Sequence, residues 1–189
     1  MSKMTKKQQL LNAIYKPYEG CNGCHFEMPR ATQIVWGDGN INSSLIFIGE
    51  APGRDEDLQG KPFVGRSGKL LNKILEAHGT ARENVYITNI VKVRPPNNRR
   101  PLPAEMEKSR PLLFSQIGIL KPKVICTLGS AALEGLLGDA VKITKTRGTP
   151  ISWRGLVIIP AYHPAYILRN PKELPALVQD IEKALSLSK

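Results

Sequence analysis

The residues with most chemistry to offer begin in one stretch, GEAPGRDEDLQGKPFVGRSGKLL, Gly49 to Leu71. It sets four acids, Glu50, Asp55, Glu56 and Asp57, just after an apolar run, Leu45 to Ile48, and ends on basic residues. A carboxylate at a strand end can stabilise a cationic centre or orient a water molecule. Two further stretches carry comparable groups. YITNIVKVRPPNNRRPLP, Tyr86 to Pro103, contains Asn89, whose amide offers both a donor and an acceptor. YHPAYILRNP, Tyr162 to Pro171, contains His163, able to donate a hydrogen bond to an oxygen that gains charge. Singly, each suits ordinary structure as well: Asn89 a turn, His163-Pro164 a strand end, Phe63 a core.

Three shorter patterns point elsewhere and fail on physical grounds. Gly60 to Ser67 nearly spells a phosphate-binding loop with Arg66 in place of lysine, but it lies well past the preceding strand and Pro62 removes a backbone donor. Cys21-Asn22-Gly23-Cys24-His25 matches a c-type haem attachment motif, yet that chemistry belongs to exported proteins. As half of a metal site the same pair lacks partners, because the third cysteine, Cys126, falls inside an apolar run that reads as core. Cys21 and Cys24 therefore read as a relic, a redox-labile dithiol or part of a larger site.

The elements that must position these groups follow from periodicity. Leu45–Ile48, Val85–Ile90, Val124–Leu128 and Leu156–Pro160 are short Ile- and Val-rich runs that read as buried strands. Helical patterns lie between and after them, over Ser67–His78, Pro103–Leu120, Ser130–Leu137 and Lys172–Leu187. Strands alternating with helices predict an α/β fold, a three-layer α/β/α sandwich around a central, mostly parallel four-stranded sheet. Ligands of such sheets bind beyond the carboxyl ends of the strands, where the three stretches converge.

The whole chain, residues 1–189, is of a size for one domain, and 41% apolar residues make it globular. Lys and Arg outnumber Asp and Glu by 27 to 16, a formal net charge of +11 spread along the chain, which suits a polyanionic partner. The apolar runs are too short to span a bilayer and the opening MSKMTKKQQLL lacks a secretory signal's apolar region. A cytoplasmic protein with no membrane partner is expected.

The three stretches, in this order and spacing, resemble the motifs of the family 4 uracil-DNA glycosylases, and the similarity runs from about Cys21 to the final helix. The resemblance implies a DNA repair enzyme that flips uracil out of DNA and hydrolyses its N-glycosidic bond, with no metal in the chemistry. It implies Glu50, Ala51, Phe63, Asn89 and His163 as the uracil-binding set, with Glu50, Glu56 and His163 catalytic. Phe63 stacks on the base, Asn89 reads its edge and His163 faces its O2. Glu56 is the family's second acid in the first loop, orienting water or fixing the loop. Asp55 and Asp57 gain no role and read as solvated. Around this pocket Arg66, Ser67, Lys69, Lys92, Arg94, Arg147 and Arg169 are expected to meet DNA, and Leu168 to wedge into the gap left by the flipped base.

One departure stands out. The family holds a 4Fe-4S cluster through four cysteines, of which Cys21 and Cys24 match two, whereas Val93 and Ser109 occupy the other two positions. Valine offers no ligand atom and a serine oxygen substitutes poorly for a thiolate. The cluster is expected to be absent. That drift keeps a rival reading in view, a non-catalytic DNA-binding or processivity subunit on the same fold. Retention of Glu50, Phe63, Asn89 and His163 favours the enzyme, and a monomer is expected.

Overall fold

A computed structural model describes residues 4–20, 31–138 and 141–189. Its centre is one sheet of six strands among the described residues: β1 (Asp38–Gly39), β2 (Leu45–Gly49), β3 (Tyr86–Asn89), β4 (Val124–Leu128), β5 (Ile151–Trp153) and β6 (Leu156–Ala161). Their spatial order is β1-β3-β2-β4-β6-β5. The four runs legible in the sequence are the parallel centre, in register through Phe47↔Ile87, Phe47↔Cys126 and Cys126↔Ile159.

The two additional strands are antiparallel edges, β1 on β3 and β5 on β6, so the expected four-stranded sheet is corrected to six. At two and three residues they are too short to show a period. The β5–β6 hairpin turns through Arg154 and Gly155, both with positive φ (50° and 78°), the geometry of a tight two-residue turn. Arg-Gly signals that turn far less clearly than Asn-Gly would.

Helices cover both faces, giving the three layers. Strand side chains alternate: Ile46, Ile48, Ile125 and Ile158 pack with Leu11 of α1 (Lys6–Tyr15), Leu113 and Ile117 of α4 (Pro103–Leu120) and Leu133 of α5 (Ser130–Leu137). Phe47, Ile87, Cys126 and Ile159 pack with Leu71 and Leu75 of α3 (Arg66–Ala77) and with Leu177 and Ile181 of α8 (Leu174–Ser188). Burial on both faces is why these strands read as unbroken apolar runs.

Three short helices lie where periodicity is silent or loops were expected. These are α2 (Arg54–Gln59), α6 (Ile143–Thr146) and α7 (Pro164–Arg169). In α2 the single apolar residue, Leu58, is exposed, so no stripe marks it. The chain runs from β2 to β3 on one side and then to β4 on the other, so strand order reverses beside β2. A crevice opens at such a switch point, beyond the strands' carboxyl ends. Among the described residues no helix is long and apolar enough to cross a membrane.

Candidate active site

Beyond β2, β3 and β6 lies a cleft of about 420 Å³ lined by Ala51, Glu56, Phe63, Asn89 and His163, together with Arg66, Ser67, Leu168 and Arg169. Gly49 ends β2 beneath it. A Cβ there would lie 2.4 Å from Asn89 Oδ1 and 2.5 Å from Phe63 Cε2, so a glycine is required for amide and ring to meet over the strand end.

Phe63 holds φ at 54°, a left-handed conformation that is strained for an aromatic residue. Its surroundings enforce it. Arg82 Nη1 donates to the Phe63 carbonyl at 3.1 Å and Nη2 to the Pro62 carbonyl at 2.5 Å. Gly68 brings the first turn of α3 against the same carbonyl, where a Cβ would sit 1.7 Å from the oxygen. The ring is thereby fixed at the cleft, its centroid 5.6 Å from that of His163.

Asn89 is 2% exposed and its Oδ1 has no hydrogen-bond partner. Buried amide oxygens are normally satisfied, so an unpartnered one on a cleft wall suits a ligand donor. The backbone behind it is tied to β2, with Ile90 N–H donating to Gly49 O at 2.9 Å and Val91 N–H to Glu50 O at 3.1 Å.

His163 caps α7, and its Nδ1 accepts the Ala165 N–H at 3.0 Å. Burial, with a contribution from the Arg169 charge, lowers its pKa to about 4. The ring is therefore neutral at physiological pH. With Nδ1 engaged as an acceptor the proton resides on Nε2, making that atom a donor.

The four acids separate by environment. Glu56 accepts the N–H groups of Gly53 (3.1 Å), Val64 (2.9 Å) and Gly65 (2.9 Å), so its carboxylate ties α2 to the Phe63 loop. Of its two expected roles this geometry suits fixing the loop. Asp57 corrects the expectation of a solvated loop acid. It is 2% exposed and accepts from Thr32 N–H (2.8 Å) and Thr32 Oγ1 (2.9 Å), with the Arg94 guanidinium at 4.0 Å. Asp55 is exposed on the cleft rim. Glu50 lines an adjoining cleft of about 520 Å³ that shares Ala51 and His163 with the first. Burial raises its pKa, Arg100 opposes the rise and Glu134 adds to it.

The residues expected at DNA also divide. Arg66, Ser67, Leu168 and Arg169 line the cleft, Lys69 is exposed on α3 and Leu168 is 44% exposed. Arg94 is partly exposed, with its Nε bonded to Asn98 Oδ1 at 2.6 Å. Two expectations are corrected. Lys92 is fully buried, and Arg147 grips Asp180 of α8 through two hydrogen bonds (3.0 and 2.7 Å) and the Ala176 carbonyl through a third. The Lys92 head group is closed to solvent, while that of Arg147, its side chain 24% exposed, is engaged within the protein. Sequence reasoning passed over Arg82, which braces Phe63, and Arg54, Asn98 and Ala165 on the cleft wall. No local signal marks them, because their roles depend on contacts across loops.

Cys21 and Cys24 lie outside the described residues. Val93 and Ser109 are both fully buried, Val93 in the core with Met106 and Leu113, and Ser109 with an unpartnered Oγ. A hydrocarbon and a lone hydroxyl do not fit the last two corners of a four-thiolate cluster. The Cys126 thiol, in β4, is pushed far up by burial and is inert.

The chain is similar to known proteins along nearly its full length. A family model described as the uracil DNA glycosylase superfamily matches residues 36–186. A type-4 uracil-DNA glycosylase of Thermotoga maritima is 45% identical over 190 residues, covering 98% of each chain. Another from Archaeoglobus fulgidus is 39% identical, over 92% of this chain and 90% of that one. A third, from Saccharolobus solfataricus, is 42% identical over 92% and 84%. With the sheet, the cleft and near-full-length similarity in agreement, this chain belongs to the uracil DNA glycosylase superfamily and, within it, to the type-4 group.

Proposed function

We propose that this chain is a DNA repair glycosylase that hydrolyses the N-glycosidic bond of uracil and leaves an abasic site. The observation that carries the reading is the buried, unpartnered Oδ1 of Asn89 on the wall of a cleft that also holds the Phe63 and His163 rings. Uracil presents N3–H and O4, which one amide satisfies together, Oδ1 accepting and Nδ2 donating. Cytosine presents the reverse pattern and would leave buried groups unpaired, a penalty of about 1–3 kcal/mol for each.

The base must leave the stack to enter the cleft. Phe63 stacks on its face, and Leu168 fills the vacated gap. As the C1′–N1 bond breaks, the electron pair departs with uracil and positive charge develops on the sugar. The neutral His163 ring donates from Nε2 to O2, which gains negative charge, so no proton need be transferred to the leaving base. Glu50, on the adjoining wall, stabilises the sugar cation and orients the water whose oxygen bonds to C1′ and whose proton is released. Glu56 holds the loop that carries Phe63. Arg66, Ser67, Lys69, Arg94 and Arg169 meet the phosphates.

The protein acts as one domain and one chain, on genomic DNA inside the cell, and without an iron–sulfur cluster. Two buried non-thiolate positions, Val93 and Ser109, support the last statement. A brown protein with about four irons per chain would overturn it.

The deciding experiment incubates purified protein with a labelled oligonucleotide carrying one uracil, followed by alkali, beside a cytosine strand and an Asn89→Ala variant. Scission at uracil alone, lost in the variant, is expected. Intact DNA binding without scission would establish the non-catalytic subunit instead.

A further inference from the structure

Lys92 is the one fully buried lysine among the described residues. Its Nζ donates to Thr88 Oγ1 at 2.6 Å and to the Asn89 backbone carbonyl at 2.7 Å. Thr88 Oγ1 in turn donates to the Trp36 carbonyl at 2.7 Å, and the Lys92 carbonyl accepts the Val35 N–H at 2.7 Å. Among the described residues no carboxylate lies within ion-pair distance of the amine. Burial alone drives its pKa well below the usual lysine value.

Packing does not account for such a residue. A methionine of similar length would fill the space without burying a polar head. What the amine adds is a pair of hydrogen bonds at the end of β3, one to the peptide that carries the base-reading amide. On its other side the Asn89 segment is tied to β2 through Ile90 and Val91. Without Lys92 the Asn89 carbonyl and the Thr88 hydroxyl would both lose a buried partner, and rotation of the peptide after Asn89 would relieve this. That rotation would swing the amide away from its place over Gly49, where its Oδ1 lies 2.4 Å from the position a Cβ would take, beside the Phe63 ring.

We propose that Lys92 is a positioning residue for uracil reading: its two hydrogen bonds to Thr88 and Asn89 hold the Asn89 amide at the angle that the base edge requires. This rests on the glycosylase reading above, and the test separates the two. Lys92→Met, Lys92→Gln and Thr88→Val variants are compared with the unaltered protein in single-turnover uracil excision, DNA Kd, Tm and the side-chain amide NMR signal of Asn89, identified by its absence in Asn89→Asp.

In Lys92→Met the excision rate is expected to fall about 10- to 100-fold with DNA Kd unchanged, and the Asn89 signal to broaden or double. Lys92→Gln, which keeps an N–H donor, should recover part of the rate. Wild-type rate and signal in folded Lys92→Met would overturn the proposal. So would equal losses in Met and Gln variants that merely follow Tm. If Lys92→Met does not fold, Thr88→Val decides by the same readouts. If the unaltered protein excises no uracil the glycosylase reading falls, while the NMR signal still decides whether Lys92 orders the amide.

Discussion

Burial shifts two ionisable side chains of the clefts in opposite directions, each towards its neutral form. Burial raises the Glu50 pKa, so its ionised form is lost as pH falls through a value above the ordinary 4.5. Excision should fall in acid with a midpoint above that value, and Glu50→Gln should lose at least about 100-fold in rate together with that acid limb. His163 is shifted the other way, to about 4 from 6.5, so between these values the unfolded chain binds the proton and the folded one does not. Stability contributed by the neutral ring is complete above pH 6.5 and declines as pH falls towards 4. The Tm of His163→Asn, followed over that window, should fall less with acid than that of the unaltered protein. Asn89, Phe63 and His163 were legible as candidates because their types suit base reading, whereas their geometry was not.

At the level of elements, the site depends on how three strand ends and two loops are braced. The strain at Phe63 is contained by Arg82, which also reaches Asn72 and Asp38. Arg82→Ala removes the donors for two loop carbonyls and should destabilise the fold by about 1–3 kcal/mol. It should also reduce the excision rate about tenfold or more, because a misplaced ring no longer meets the base. Thermal melts and single-turnover rates read these separately. Helices α4 and α5 were legible to the residue, since Pro103 and Ser130 mark their starts and apolar periodicity carries them to Leu120 and Leu137. Helix α2 was not, because its structure comes from Glu56 accepting three backbone N–H groups and Asp57 anchoring to Thr32.

Across the whole molecule the excess of 27 basic over 16 acidic residues was legible, but its division between DNA and internal ion pairs was not. Arg66 opens α3 on the cleft wall, while Arg147 is spent on Asp180. Plots of log K for DNA against log salt should therefore differ between variants. Arg66→Ala should lower the slope by about one. Arg147→Ala should leave the slope unchanged and lower Tm instead.

By itself the sequence determined the fold class, the family and the four central strands. Apolar periodicity is local, and the three stretches keep their order along the chain. Tertiary structure alone decided the edge strands, the separate settings of Glu50, Glu56 and Asp57, the burial of Lys92 and the pairing of Arg147 with a residue 33 positions away. A charged side chain carries no mark of whether it will meet solvent, ligand or protein. That outcome depends on partners brought near only when the sheet assembles and its strand ends converge.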